Sequence, residues 1–135
     1  MNVINVAVQG INCPKEVSLA ISNLSDSYDL VVITRGGGAF EDLFGFSSEE
    51  VIESIYKSNH IIMSAIGHEK DTMLSDLVAD IRSPTPSFAA QYIIEHNRSY
   101  LMNINSKLDY YKTKIMTLLM SYQRKISNLE NKLNS

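Results

Sequence analysis

From Ser87 to Ser135 the chain contains neither glycine nor proline, the two residues that most readily end a helix. Within that run apolar side chains recur at Leu101, Ile104, Leu108, Tyr111, Ile115, Leu119, Tyr122, Ile126, Leu129 and Leu133. The steps are threes and fours, a heptad seam with one stutter between Tyr111 and Tyr122. At ~1.5 Å per residue the seam is about 48 Å long, more than a small sheet covers. Residues 88–135 are therefore expected to form a long helix of coiled-coil character. An amphipathic helix lying on its own domain is the simpler alternative. The length favours self-association or capture of small helical partners.

The first 87 residues read differently. Val3–Val8 has the composition of a strand, and Pro14 suits the first turn of a helix that continues through Val17, Leu19, Ala20, Ile21 and Leu24. Leu30–Ile33 is a short β-branched run typical of a buried parallel strand. Ser47-Ser48-Glu49-Glu50 has capping-box spacing before Val51, Ile52, Ile55 and Tyr56. His60–Ile66 is a third strand. Asp71 or Thr72 is placed to cap a helix carrying Met73, Leu74, Leu77, Val78 and Ile81. Strand and helix thus alternate three times. The expectation is an α/β fold, with a small three-stranded, mainly parallel sheet and flanking helices, followed by the long C-terminal helix. Ser83-Pro84-Thr85-Pro86-Ser87 marks the boundary, so the expected domains are 1–87 and 88–135.

In open parallel sheets ligands bind beyond the carboxyl ends of the strands. Two loops fall there. Arg35-Gly36-Gly37-Gly38 leaves the second strand, followed by Glu41 and Asp42. Glycines permit positive φ and close approach to backbone N–H groups, and a guanidinium supplies a planar fork suited to phosphate. A flexible turn is the plainer explanation of three glycines. Gly67-His68-Glu69-Lys70-Asp71 leaves the third strand. Its imidazole can move a proton near neutral pH, and Asp71 can orient it, or else serve as an ordinary helix cap. Asp76 and Asp80 stand four residues apart, and such a carboxylate pair calls for a cation or for an arginine such as Arg82.

Other signals are weak. His60 and His96 suit structural or solvated roles. Cys13, the one cysteine, has no neighbouring ligand residue and excludes an internal disulfide. No apolar stretch is long enough to span a bilayer, and no signal peptide precedes Val6, so a cytoplasmic location away from membranes is expected. Charge is unevenly distributed. Residues 1–100 hold six Lys/Arg against thirteen Asp/Glu, net −7, whereas residues 101–135 hold six against two, net +4. An acidic body is unlike a stand-alone nucleic-acid binder, whose grip comes from phosphate contacts. A mononucleotide-binding domain would show a Gly-x-Gly-x-x-Gly or a Lys-Ser/Thr pattern, and neither is present.

Three segments, in order and at matching distances, resemble the large subunit of exodeoxyribonuclease VII. They are Arg35-Gly36-Gly37-Gly38-Ala39-Phe40-Glu41-Asp42-Leu43, Ser64-Ala65-Ile66-Gly67-His68-Glu69-Lys70-Asp71, and Val78-Ala79-Asp80-Ile81-Arg82-Ser83-Pro84-Thr85-Pro86-Ser87. The resemblance covers roughly residues 6–91, and the long helix is similar to that family's coiled-coil region. It implies a nuclease of DNA catabolism, a hydrolase releasing oligonucleotides from the ends of single-stranded DNA. No cofactor is strictly required, with Mg2+ allowed, and no metal-ligating residue is assigned. It also implies copies of a small subunit on the C-terminal helix. Carried over, Arg35, His68 and Asp71 are the catalytic residues. On the reading of the loops above, Gly36, Gly37, Gly38, Gly67 and Arg82 are expected to bind substrate phosphate. Departures from the family pattern are Ala39 for serine, Phe44 for tryptophan, Lys70 for threonine and Gln91 for glutamate. The family's first functional aspartate and its OB-fold domain lie upstream of the matching segments. The chain is thus expected to be a core part, incomplete alone, with a non-catalytic assembly module as the alternative.

Overall fold

The structure is a computed structural model that describes residues 1–37, 40–67 and 72–133. It divides into two compact units, Met1–Tyr92 and Ile93–Ser135.

The first unit is built on a sheet of three parallel strands, β1 (Val31–Thr34), β2 (Ile62–Ala65) and β3 (Ile81–Arg82), in the spatial order β1-β2-β3. Every residue of β2 is buried, as a central parallel strand requires. Helices α1 (Cys13–Ser22) and α2 (Glu49–Lys57) pack on each other, contributing Val17 and Ile21 from one and Val51 and Ile55 from the other. Phe46, Leu43 and Cys13 complete the core with Ile33, Ile62 and Ile66. Each large side chain buried this fully stabilises the fold by roughly 1.5–3 kcal/mol. The α/β class and the parallel sheet are as the alternation predicts.

Two strand assignments change. Val3–Val8 joins no sheet. Val6 and Val8 lean on the core, but the Ala7 N–H donates to Glu16 Oε2 at 2.7 Å, so a side chain takes the place of a ladder partner. Ile81, expected on a helix, lies instead in β3. The helix α3 (Leu74–Val78) stops after five residues, and Ala79 turns extended at ψ 148°. Asp80 then accepts the Ile62 N–H at 2.8 Å, and the Ser83 N–H reaches Ser64 O at 2.7 Å. Hydrogen bonds offered by the free edge of β2 outweigh the helical pattern.

Several helix details also differ from expectation. Ser48, not Ser47, caps α2, its Oγ accepting the Val51 N–H at 3.4 Å. Ser47 Oγ instead accepts the Leu74 N–H at 3.0 Å, tying the 3₁₀ stretch Phe40–Ser47 to α3. Met73 occupies the α3 cap position in place of Thr72; Asp71 lies outside the described residues. Leu19, Tyr56 and Leu77, counted with the apolar faces, are solvent-exposed. The helix α4 (Pro86–Leu133) opens with Pro86 in its first turn, where Thr85 Oγ1 accepts the Phe88 N–H at 3.2 Å.

The second unit is helical from Ile93 through Leu133. Its seam residues Leu108, Ile115, Leu119 and Ile126 are each more than half exposed. Lys114 sits over the Tyr110 ring at 5.9 Å, and Lys125 over Tyr122 at 5.6 Å, both pairs within the helix. Among the described residues no helix is long and apolar enough to cross a membrane.

Candidate functional site

Strand register decides which residues meet. Thr34 pairs with Ala65, and Ser64 pairs with Arg82, so all three strands end side by side. Arg35 follows β1 directly, Gly67 lies two residues beyond β2, and Arg82 ends β3. Three residues far apart in sequence therefore share the carboxyl edge of the sheet, where parallel sheets bind ligands.

Arg35 is only 6% exposed. Its Nε donates to Gly36 O at 3.0 Å, and Nη1 lies 4.0 Å from Asp42 Oδ2. A buried guanidinium is tolerable only with such partners, and these fix the plane of the fork. The glycines behave otherwise than expected. Positive φ among the described glycines occurs at Gly10 (77°) and not at Gly36 or Gly37. A Cβ added to Gly36 or Gly37 would meet no atom within 4 Å. Among the described residues, neither turn geometry nor packing demands glycine there. What the missing side chains leave is open space over the backbone beside Arg35, room for a ligand to approach closely.

The second cluster surrounds Asp76, buried to 6% exposure. Its Oδ1 accepts from Ser64 Oγ at 2.5 Å, its Oδ2 accepts the Met73 N–H at 2.9 Å, and Arg82 Nε stands 3.7 Å from Oδ2. Arg82 thus answers the charge of Asp76. Asp80 is not its partner in a carboxylate pair, because α3 ends before Asp80 and that side chain turns to Ile62. Of the residues expected at the site, Arg35, Gly36, Gly37, Gly67 and Arg82 are brought to one edge. Gly38, His68 and Asp71 lie outside the described residues. The contribution of Ser64 was not legible in the sequence, since a serine inside an apolar strand carries no signal of what its hydroxyl will meet.

The remaining titratable groups have other roles. His60 bridges the Ser25 carbonyl, at 3.0 Å from Nε2, and Ser58 Oγ, at 3.4 Å from Nδ1. Burial pushes the Cys13 thiol above its ordinary value, the Arg35 guanidinium opposes that and the Glu16 carboxylate adds to it. The thiol is accordingly protonated at neutral pH and unsuited to nucleophilic work. Among the described residues no group of three or more His, Cys, Asp and Glu converges as a metal site. Asp42 and Asp76 each face an arginine, so neither is arranged as a cation ligand. A cleft of about 510 Å³ opens near the start of β2, lined by Ser22, Glu50, Glu53, Lys57 and His60, away from the strands' carboxyl ends.

This arrangement places a buried Arg35, a partly exposed Arg82 and the open backbone of Gly36 and Gly37 along one sheet edge. Comparison with known proteins gives it context. The family profile described as "Exonuclease VII, large subunit" matches residues 1–135. The exodeoxyribonuclease 7 large subunit of Klebsiella pneumoniae (strain 342) is 36% identical over 129 residues, 94% of this chain and 28% of the relative. That of Campylobacter lari is 36% identical over 133 residues, 97% of this chain and 34% of the relative. That of Syntrophomonas wolfei is 41% identical over 122 residues, 89% of this chain and 28% of the relative. The chain thus spans 28–34% of the length of these three relatives.

Proposed function

The chain belongs to the exonuclease VII large-subunit family, and from that premise we propose that it is the phosphodiesterase-core part of a nuclease acting on the ends of single-stranded DNA. Arg35 and the backbone of Gly36, Gly37 and Gly38 hold a backbone phosphate and the charge that develops on it. His68 moves the proton, as general acid or base, and Asp71 orients the imidazole. Gly67 lets the chain pass close to the substrate, and Arg82 holds a neighbouring phosphate. Oligonucleotides are released, no metal is strictly required, and Mg2+ is allowed. Residues 1–87 supply this core and residues 88–135 the coiled-coil region. That region takes small-subunit helices or a second copy of the chain.

The observation that carries this reading is the convergence of Arg35, Gly36, Gly37, Gly67 and Arg82 on one edge, with open space over the two glycines. The test is a hybrid in which residues 1–135 replace the matching stretch of the Klebsiella pneumoniae large subunit. The hybrid is expected to shorten end-labelled single-stranded DNA, and Arg35→Ala to slow it by roughly 10²–10³-fold, the usual effect of losing a preorganised charge stabiliser. An inactive but folded hybrid would overturn the proposal.

A second reading, a non-catalytic assembly module, is favoured by the exposed stripe Leu108, Ile115, Leu119 and Ile126. A folded, inactive hybrid that still assembles through α4 would select it.

A further inference from the structure

We infer that Asp76 is a positioning residue that sets Arg82 for phosphate and pins the chain just beyond Asp71; this rests on the phosphodiesterase reading above. A carboxylate buried in a five-residue helix is a poor choice for stability alone. Desolvation makes buried ion pairs roughly neutral against apolar side chains of the same size. What Asp76 does is tie α3 and its own N-cap to β2 and β3. Ser64 Oγ on β2 donates to Oδ1, the Met73 N–H donates to Oδ2, and Arg82 Nε on β3 lies 3.7 Å from Oδ2.

Each contact has a consequence at the site. The Met73 N–H lies two residues past Asp71 in sequence, so the carboxylate fixes where the chain enters α3. Arg82 is engaged through Nε, the inner nitrogen of the fork. Its side chain is still 38% exposed while that of Asp76 is 2% exposed. A guanidinium whose Nε faces the carboxylate leaves its terminal Nη nitrogens toward an outside anion, and because the fork is planar the ion pair also biases its direction. Ser64 fixes the other carboxylate oxygen, and the backbone bond from Ser83 to Ser64 holds β3 in register beside it. Asp76 touches no substrate in this account; it acts through Arg82 and the loop.

The test is a titration of the ¹⁵N-labelled 135-residue chain with thymidine trinucleotide, followed by NMR. In the wild-type chain the Gly36 and Gly37 amides and the Arg82 Nε–H are expected to shift together. Asp76→Asn keeps an acceptor for Met73 but loses the charge that holds Arg82. It should retain the glycine shifts, lose the Arg82 response and bind roughly two- to fivefold more weakly, the usual effect of losing a partly exposed ion pair. An Asp76→Asn chain that titrates like wild type overturns the inference alone. A wild-type chain with no response at Gly36, Gly37 or Arg82 overturns the phosphodiesterase reading and the inference with it. If Asp76→Asn loses its dispersed spectrum, Ser64→Ala decides, since it frees Oδ1 while keeping the ion pair. A weakened Arg82 response supports the inference, and wild-type behaviour overturns it.

Discussion

Ser64 and Arg82 face each other as register partners on β2 and β3, and both reach the carboxylate of Asp76. That relationship ties β2, β3 and α3 together at the carboxyl edge of the sheet, with Arg35 just past the end of β1. Positions that surround this edge but serve no packing purpose are the sharpest probes of it.

Gly36→Ala and Gly37→Ala should leave thermal stability nearly unchanged, because an added Cβ meets nothing within 4 Å and neither residue has positive φ. Both should weaken binding of single-stranded oligonucleotide by obstructing approach to the backbone. Differential scanning fluorimetry and fluorescence anisotropy on the same preparations separate the two effects. A large loss of stability with unchanged affinity would mean that these glycines serve the fold.

Gly45 is the contrasting case. A Cβ there would stand 2.9 Å from Cys13 Sγ and 3.2 Å from Cys13 Cβ. Because Cys13 is fully buried, Gly45→Ala should destabilise by about 1–3 kcal/mol, as overpacking usually does. Cys13→Ala in the same chain removes the sulfur and should restore part of that loss in urea unfolding.

The two glycine loops illustrate what the sequence discloses and what it withholds. β-branched runs at Leu30–Ile33 and His60–Ile66 announce buried strands because periodicity and composition agree there, and they emerge as β1 and β2. The Val3–Val8 run has the same composition but finds Glu16 before it finds a strand edge. Ile81 follows a helical pattern, yet the edge of β2 claims it. Composition reports what a segment prefers; neighbours distant in sequence decide what it receives. The same holds for the site. Arg35 and the glycines stand out in the sequence, whereas the hydroxyl of Ser64 becomes meaningful only when Asp76 is folded against it.

Alkaline pH provides a test of the core. Because burial holds the folded-state pKa of Cys13 above its unfolded value of 9.0, the folded chain keeps its proton where the unfolded chain releases it. Stability is fully present below that pH and declines as pH rises above it. Cys13→Ala should abolish this component of the alkaline decline in chemical denaturation. An identical pH dependence in both chains would contradict the burial argument.

The exposed stripe on α4 invites a physical measurement. Leaving Leu108, Ile115, Leu119 and Ile126 in water forgoes roughly 1.5–3 kcal/mol for each that could be buried. The chain should therefore self-associate in sedimentation velocity, and Leu108→Asp with Ile115→Asp should yield a monomer. A wild-type chain that stays monomeric at high concentration would refute pairing with its own copy.

The central claim is that this chain carries the groups that cleave the phosphodiester bond, and His68 tests it most directly. In the hybrid with the Klebsiella pneumoniae large subunit, the measurement is the single-turnover rate on end-labelled single-stranded DNA, compared between wild type and His68→Ala. Loss of a general acid or base predicts a fall of roughly 10²–10⁴-fold with DNA affinity retained. An unchanged rate in a folded His68→Ala hybrid would contradict the account.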